Sequence, residues 1–206
     1  MTTTRLAGSL LLIHSHYGEP PDLFSLALKR NDALIVRERD LIPAHIEQAR
    51  GIITTSHLDQ HGFFAYRQQL FDFMARGGRW FFNGHILRPF LPGLVNYIAI
   101  PKARRADLVL TRLNEHPIFE GIDQTCFEEN RGVAGFYGRG HNPLPPGALA
   151  VNGIGQLKQP IDWDWTLPGA GRMFSHAGND IGVINGPNPN HALIAPRIIA
   201  WTMGEI

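Results

Sequence analysis

The chain is nearly without cysteine: Cys126 is the one thiol in 206 residues. A disulfide within the chain is therefore excluded, and so is a zinc site built from several thiolates. Charge of one sign is lacking too. Lys and Arg number 19 against 18 Asp and Glu, a net charge of +1. That balance supplies no field to gather nucleic acid or an anionic membrane, and neither is expected as a partner. Long hydrophobic runs are also missing. The stretch Leu10–Ile13 is far shorter than the roughly 20 residues that cross a bilayer. No small-residue cleavage site precedes it and no Asn-x-Ser/Thr acceptor occurs, so a cytoplasmic protein is expected.

Apolar residues make up 44% of the chain and charged residues 18%, enough to fill the core of one domain spanning 1–206. Short apolar runs alternate with helical patterns through the first half. Leu10–Ile13, Ala33–Val36, Gly51–Thr55 and Arg79–Phe82 have strand length and strand composition. Between them, Pro20-Pro21 opens a helix with Leu23, Phe24, Ala27 and Leu28 on one face, and Pro43–Arg50 forms a short helix or turn. Phe63, Tyr66, Leu70, Phe73 and Met74 recur at helical spacing until Gly77-Gly78 stops them. This alternation predicts an α/β domain with right-handed crossovers and a mostly parallel central sheet.

The second half is less regular. Tyr97–Ile100 and Leu108–Leu110 read as a hairpin or edge strands. A Gly- and Pro-rich stretch, Gly132–Pro168, reads as a long loop holding one strand, Ala148–Val151. Within it, Asp162-Trp163-Asp164-Trp165 is either a lid whose rings stack on a sugar or a loop that anchors its tryptophans in the core. Arg172–Ser175 is the last strand. His191–Met203 is the last helix, with Pro196 near its start. Cys126 reads as a buried small hydrophobe.

Ten histidines are present, and their positions matter more than their number. His14 and His16 follow the first strand, His57 the third, His85 the fourth and His176 the last. In a parallel sheet all five would share the carboxyl edge, where open α/β sheets bind ligands. Imidazoles gathered in a crevice suit proton transfer near neutrality or a divalent metal. His14 and His16, two apart, point the same way on an extended chain. Gly84, between Asn83 and His85, marks a tight turn shaped like a nucleophile elbow, with His85 where Ser or Cys would stand.

Three stretches resemble the class I glutamine amidotransferase-like superfamily, and within it the ThuA-like (trehalose-utilisation) branch. Gly51–Thr55, the helix ending at Gly77-Gly78, and Trp80–His85 are similar to the family's third strand, helix and elbow strand. Asn114–Ile122 resembles its His-Pro-Ile-x-x-Gly-Leu segment, followed here by Glu128-Glu129. Gly171–Gly178 resembles its Gly-Arg-Val-Phe strand and the loop beyond. The resemblance implies a flavodoxin-like, three-layer fold. A working amidotransferase places Cys at the elbow and His-x-Glu after a late strand. Here His85 and His176-Ala177-Gly178 stand there, so a thiolate nucleophile is missing and glutaminase activity is not expected.

The resemblance implies a small polar, sugar-derived ligand in the histidine-lined crevice. In the enzyme reading His85 and His176 are acid/base groups with Glu129 as a base, and His14, His16, His57, Asn83 and Gly84 bind the ligand. The cofactor that suits such a crevice is a divalent metal such as zinc, on His14, His57, His85 and His176. The competing reading is a non-catalytic binding or assembly module, or a regulatory subunit, on the same fold. Self-association into a homo-oligomer is compatible with either.

Overall fold

The computed structural model describes residues 8–16, 26–27, 29–30, 32–130, 132–183 and 188–206. The chain folds as an α/β structure around one eight-stranded sheet. Strands β1 (Ser9–His14), β2 (Ala33–Arg37), β3 (Ala49–Thr54) and β4 (Arg79–Asn83) form where the apolar runs predict them. The remaining members are β6 (Leu110–Arg112), β10 (Leu149–Ile154), β11 (Gln159–Thr166) and β12 (Arg172–His176). Across the sheet the order is β2-β1-β3-β4-β12-β11-β10-β6. The first five run parallel; β11, β10 and β6 continue in alternating, antiparallel directions.

Successive side chains of a strand face opposite sides of the sheet. Leu10 and Leu12 join one core cluster with Phe81, Phe174 and Trp201, while Leu11 and Ile13 join another with Ile52, Phe73, Trp80 and Phe82. Both faces of the parallel strands are therefore covered, as their continuous apolar runs require. Helix α1 (Pro43–Gln48) starts at a proline whose missing N–H costs nothing there. Helix α2 (Gln60–Phe63), a 3-10 turn at Phe64–Tyr66 and helix α3 (Arg67–Ala75) replace the single helix predicted up to Arg76. The tighter turn brings the Tyr66 hydroxyl to the Leu41 carbonyl at 2.5 Å. Helix α4 (His191–Thr202) contains Pro196 and buries Ile194, Ile198 and Trp201. The helix predicted from Pro20 lies outside the described residues except for Leu26 and the buried Ala27.

The second half departs from expectation in part. Ile98–Ala99 (β5) and Leu110–Arg112 are not a hairpin: β5 pairs with β9 (Gly140–His141), and β6 pairs with β10 as the edge strand of the large sheet, the other alternative expected. The stretch Gly132–Pro168 holds the one strand expected near Ala148–Val151, which is β10, but also β8 (Val133–Ala134), which pairs with β7 (Glu129–Asn130), together with β9 and the eight-residue β11. Trp163 and Trp165 are core residues, which excludes the lid. Among the described residues no helix is long and apolar enough to cross a membrane.

Candidate functional site

The parallel strands β1, β3, β4 and β12 place their carboxyl ends side by side, and the histidines follow them there. His14 ends β1 and His176 ends β12; His57 and His85 lie a few residues beyond β3 and β4. The rings of His14 and His16 stack at 6.2 Å, and His16 meets His57 edge-on at 6.4 Å. His57 and His85 line one cleft of about 320 Å³, together with Ser56, Gly84, Gly178 and Asn179. The edge placement expected from the sequence is found, but the five rings divide among three settings.

The first setting is the His14–His16 pair. His14 is buried, and desolvation, the neighbouring His16 and Arg37 all lower its pKa. His16 is half-buried, and its Nε2 stands 3.7 Å from Asp180 Oδ2. Asp180 holds the imidazolium and raises the pKa of His16 against the cost of desolvation.

The cleft is the second setting. His85 has one ring face on Tyr97, with centroids 3.6 Å apart and planes 11° from parallel, while the rest of the ring is exposed. Desolvation first, then His176 and His57, lower its pKa, so His85 is neutral near pH 7. The turn beneath it is clamped. Gln60 donates to the His85 carbonyl at 2.6 Å and accepts from the Leu87 and Arg88 amides. Asn142 accepts from Ile86 N and donates to the Gly84 carbonyl. Asn83, expected to touch ligand, instead spends its amide on the Thr54 carbonyl and the Ile181 N–H.

In that turn the residue at positive φ is Gly84, at 105°, a conformation that glycine takes without strain. A Cβ on Gly84 would stand 2.7 Å from the Ser56 carbonyl oxygen, so the turn is built for glycine.

The third setting lies beneath the cleft wall. His176 is wholly buried, with Nδ1 2.7 Å from Asp162 Oδ1. The other carboxylate oxygen accepts from Asn152 Nδ2 at 2.6 Å and from the Tyr137 hydroxyl. Burial and the adjacent Asp162 push the Tyr137 pKa well up, so it stays a phenol and a donor. His176 Nε2 has no hydrogen-bond partner among the described residues. Gly178, in the cleft wall, packs over it so closely that a Cβ there would lie 2.7 Å from Nε2.

Glu129 is not part of the site. It sits in β7, paired with Arg105 near edge strand β6, at the far side of the sheet from β1 and β3. Glu128 is spent on the Leu110 N–H. Cys126 is partly buried and desolvation pushes its thiol up to about 11, which fits a small hydrophobe rather than a nucleophile.

Among the described residues no three His, Cys, Asp or Glu side chains are grouped to hold a metal ion, so His14, His57, His85 and His176 are not a ligand set. His57 and His61 are four apart, yet α2 begins only at Gln60, and they do not share a helical face.

No protein-family profile matches this sequence, and no curated protein does. In structure the chain is similar to Cytoplasmic Protein STM3548 from Salmonella typhimurium. The TM-score is 0.63 at 11% identity, over 94% of this chain and 98% of that one. It is also similar to the mmIFT52 N-terminal domain, with TM-score 0.55 at 13% identity, over 94% and 97% of the two chains. At these identities the likeness is one of fold.

Ser56, Tyr97, Tyr137, Asn152, Asp162 and Asp180 all belong to this edge, and sequence reasoning missed them as site residues. Two signals were present: Ser56 adjoins His57, and Asp162 and Asp164 alternate with tryptophans at strand period.

Proposed function

We propose that this chain binds a small polar ligand in the cleft between His57 and His85, as an amidotransferase-like protein without glutaminase activity. The observation that supports it is the placement of both imidazoles on one cleft of about 320 Å³ at the carboxyl ends of parallel strands. That volume suits a small molecule. The ThuA-like resemblance favours a sugar-derived ligand. The parallel order β2-β1-β3-β4-β12 supports reading the fold as flavodoxin-like and three-layered. A cytoplasmic setting agrees with the balanced charge. The chemistry that these groups suit is acid/base transfer by His57 and a neutral His85, with no covalent intermediate from the turn. The test is thermal unfolding against a panel of sugars and sugar acids. A binder raises Tm in the wild type and fails to do so in His85→Ala. No shift with any member of the panel overturns the reading.

A non-catalytic docking module is the second reading. It is favoured by a neighbouring hollow of about 590 Å³ that leaves Phe64 and Leu87 exposed beside His61 and Arg88 and shares Leu87 with the cleft. Retained ligand binding with no turnover, and loss of partner capture in Phe64→Asp, a position outside the cleft, would favour it.

A further inference from the structure

The connection after β3 contains a short hydrogen-bond chain whose direction can be worked out by counting hydrogens. Asp180 is buried, and its Oδ1 accepts from the Ser56 N–H at 2.8 Å. Ser56 Oγ lies 3.2 Å from Asp180 Oδ2 and 2.9 Å from His57 Nδ1. Ser56 has one hydroxyl hydrogen, and a carboxylate only accepts. If that hydrogen turned to His57, lone pairs of Oγ and Oδ2 would face each other beside a buried carboxylate, which is costly. The hydrogen therefore goes to Asp180. Oγ then has only lone pairs to offer, and His57 Nδ1 must be the donor. The neutral ring is held in its Nδ1–H form, with the Nε2 lone pair on the side of the ring away from Ser56. His57 is exposed and lines the cleft.

We propose that Asp180 and Ser56 are positioning residues which lock the tautomer of His57, so that Nε2 meets the cleft as a hydrogen-bond acceptor and takes a ligand hydroxyl. This rests on the cleft being a ligand site, but the lock itself does not need a ligand to be seen. His85, across the same cleft, has its backbone fixed by Gln60 and one ring face fixed by Tyr97. His57 is fixed through its ring nitrogen instead, an orienting partner of the kind that sets imidazole tautomers elsewhere.

The experiment is two-bond 1H–15N correlation of the histidine rings in the labelled full chain, above the imidazole titration. The wild type is compared with Ser56→Ala and Asp180→Asn. In the wild type His57 shows a protonated Nδ1 and an unprotonated Nε2. In Ser56→Ala the ring returns to the Nε2–H form that water favours. Asp180→Asn also releases it, because the amide can donate to Oγ and turn the serine hydrogen toward Nδ1. An unchanged His176 signal certifies that both variants are folded. An Nε2–H ring in the wild type, or one tautomer in all three proteins, overturns the lock. Xylitol, a compact polyol, then moves the His57 Nε2 resonance in the wild type; no movement overturns the hydroxyl assignment. A cleft that binds nothing in the sugar panel, with the tautomer pattern as stated, would sink the ligand reading and leave the lock standing.

Discussion

His176 Nδ1 lies 2.7 Å from Asp162 Oδ1, and neither side chain has any exposed surface. The two come from neighbouring antiparallel strands, where Asp162 and His176 are direct register partners. The carboxylate that faces His176 is thus supplied from β11. Removing one partner of a buried pair is far costlier than never having built it, because the survivor stays buried and unsatisfied. Asp162→Ala should therefore lower unfolding free energy by about 3–5 kcal/mol, read by urea denaturation. Asp162→Asn keeps an acceptor and should lose less. Equal losses would mean that the pair has little energetic weight.

The second polar pair on the same face of β11 allows an independent check. His116 Nε2 is 3.0 Å from Asp164 Oδ2, both are buried, and Arg172 pairs with the same carboxylate. The ring's Nδ1 also accepts the Ile118 N–H at the start of a 3-10 turn. His116→Ala should cost about 1–3 kcal/mol for the unpaired groups alone, while leaving ligand-induced Tm shifts in the cleft unchanged. Loss of those shifts would contradict the assignment of His116 to the scaffold.

Gly84→Ala should distort the cleft floor. The residue sits at φ 105° with the Ser56 carbonyl 2.7 Å from where a Cβ would be, so both strain and overlap oppose the change. A destabilisation of about 1–3 kcal/mol is expected from the strained backbone, measured by thermal and chemical unfolding. A variant as stable as the wild type would show that the turn relaxes freely.

His16 and His85 should give opposite pH dependences. The pKa of His16 is raised by Asp180, so its stabilising contribution is full below the ordinary imidazole value and fades as pH rises through the folded value. The pKa of His85 is lowered, chiefly by desolvation. Its penalty is absent above the ordinary value and grows as pH falls toward the folded one. His16→Gln should therefore destabilise more at about pH 5.5 than at about pH 8, and His85→Gln should relieve instability at the lower pH. Parallel stability profiles for wild type and both variants would refute this.

Cys126 should be a slow thiol. Its pKa is pushed up to about 11 by burial and, secondly, by Asp123. In the native protein at about pH 8 only a small fraction is thiolate, so labelling by a disulfide reagent should be at least tenfold slower than in urea. Equal rates would place it in water.

The parallel strands were legible because burial on both faces leaves an unbroken apolar run, as in Leu10–Ile13 and Trp80–Phe82. The edge holding the histidines followed from strand direction alone. β11 was illegible for the converse reason: Asp162 and Asp164 are charged residues in a buried strand, acceptable only because His176, Tyr137, Asn152, His116 and Arg172 come to them from elsewhere in the chain. Glu129 was misplaced because adjacency in sequence to a familiar segment says nothing about which edge of the sheet a loop returns to. The tight turn after β4 was legible from Gly84 itself, which the backbone holds at φ 105°.

The crowding around Gly84 also decides where new reactivity could be built into this scaffold. A designer seeking acyl transfer cannot place a thiol at Gly84, since the carbonyl of Ser56 already fills that space. Position 56 itself is the opening, because its Oγ borders the cleft 2.9 Å from His57 Nδ1, but that nitrogen carries the hydrogen while Asp180 locks the ring. Retrofitting would therefore begin with Ser56→Cys together with Asp180→Asn, which frees the nitrogen to act as a base.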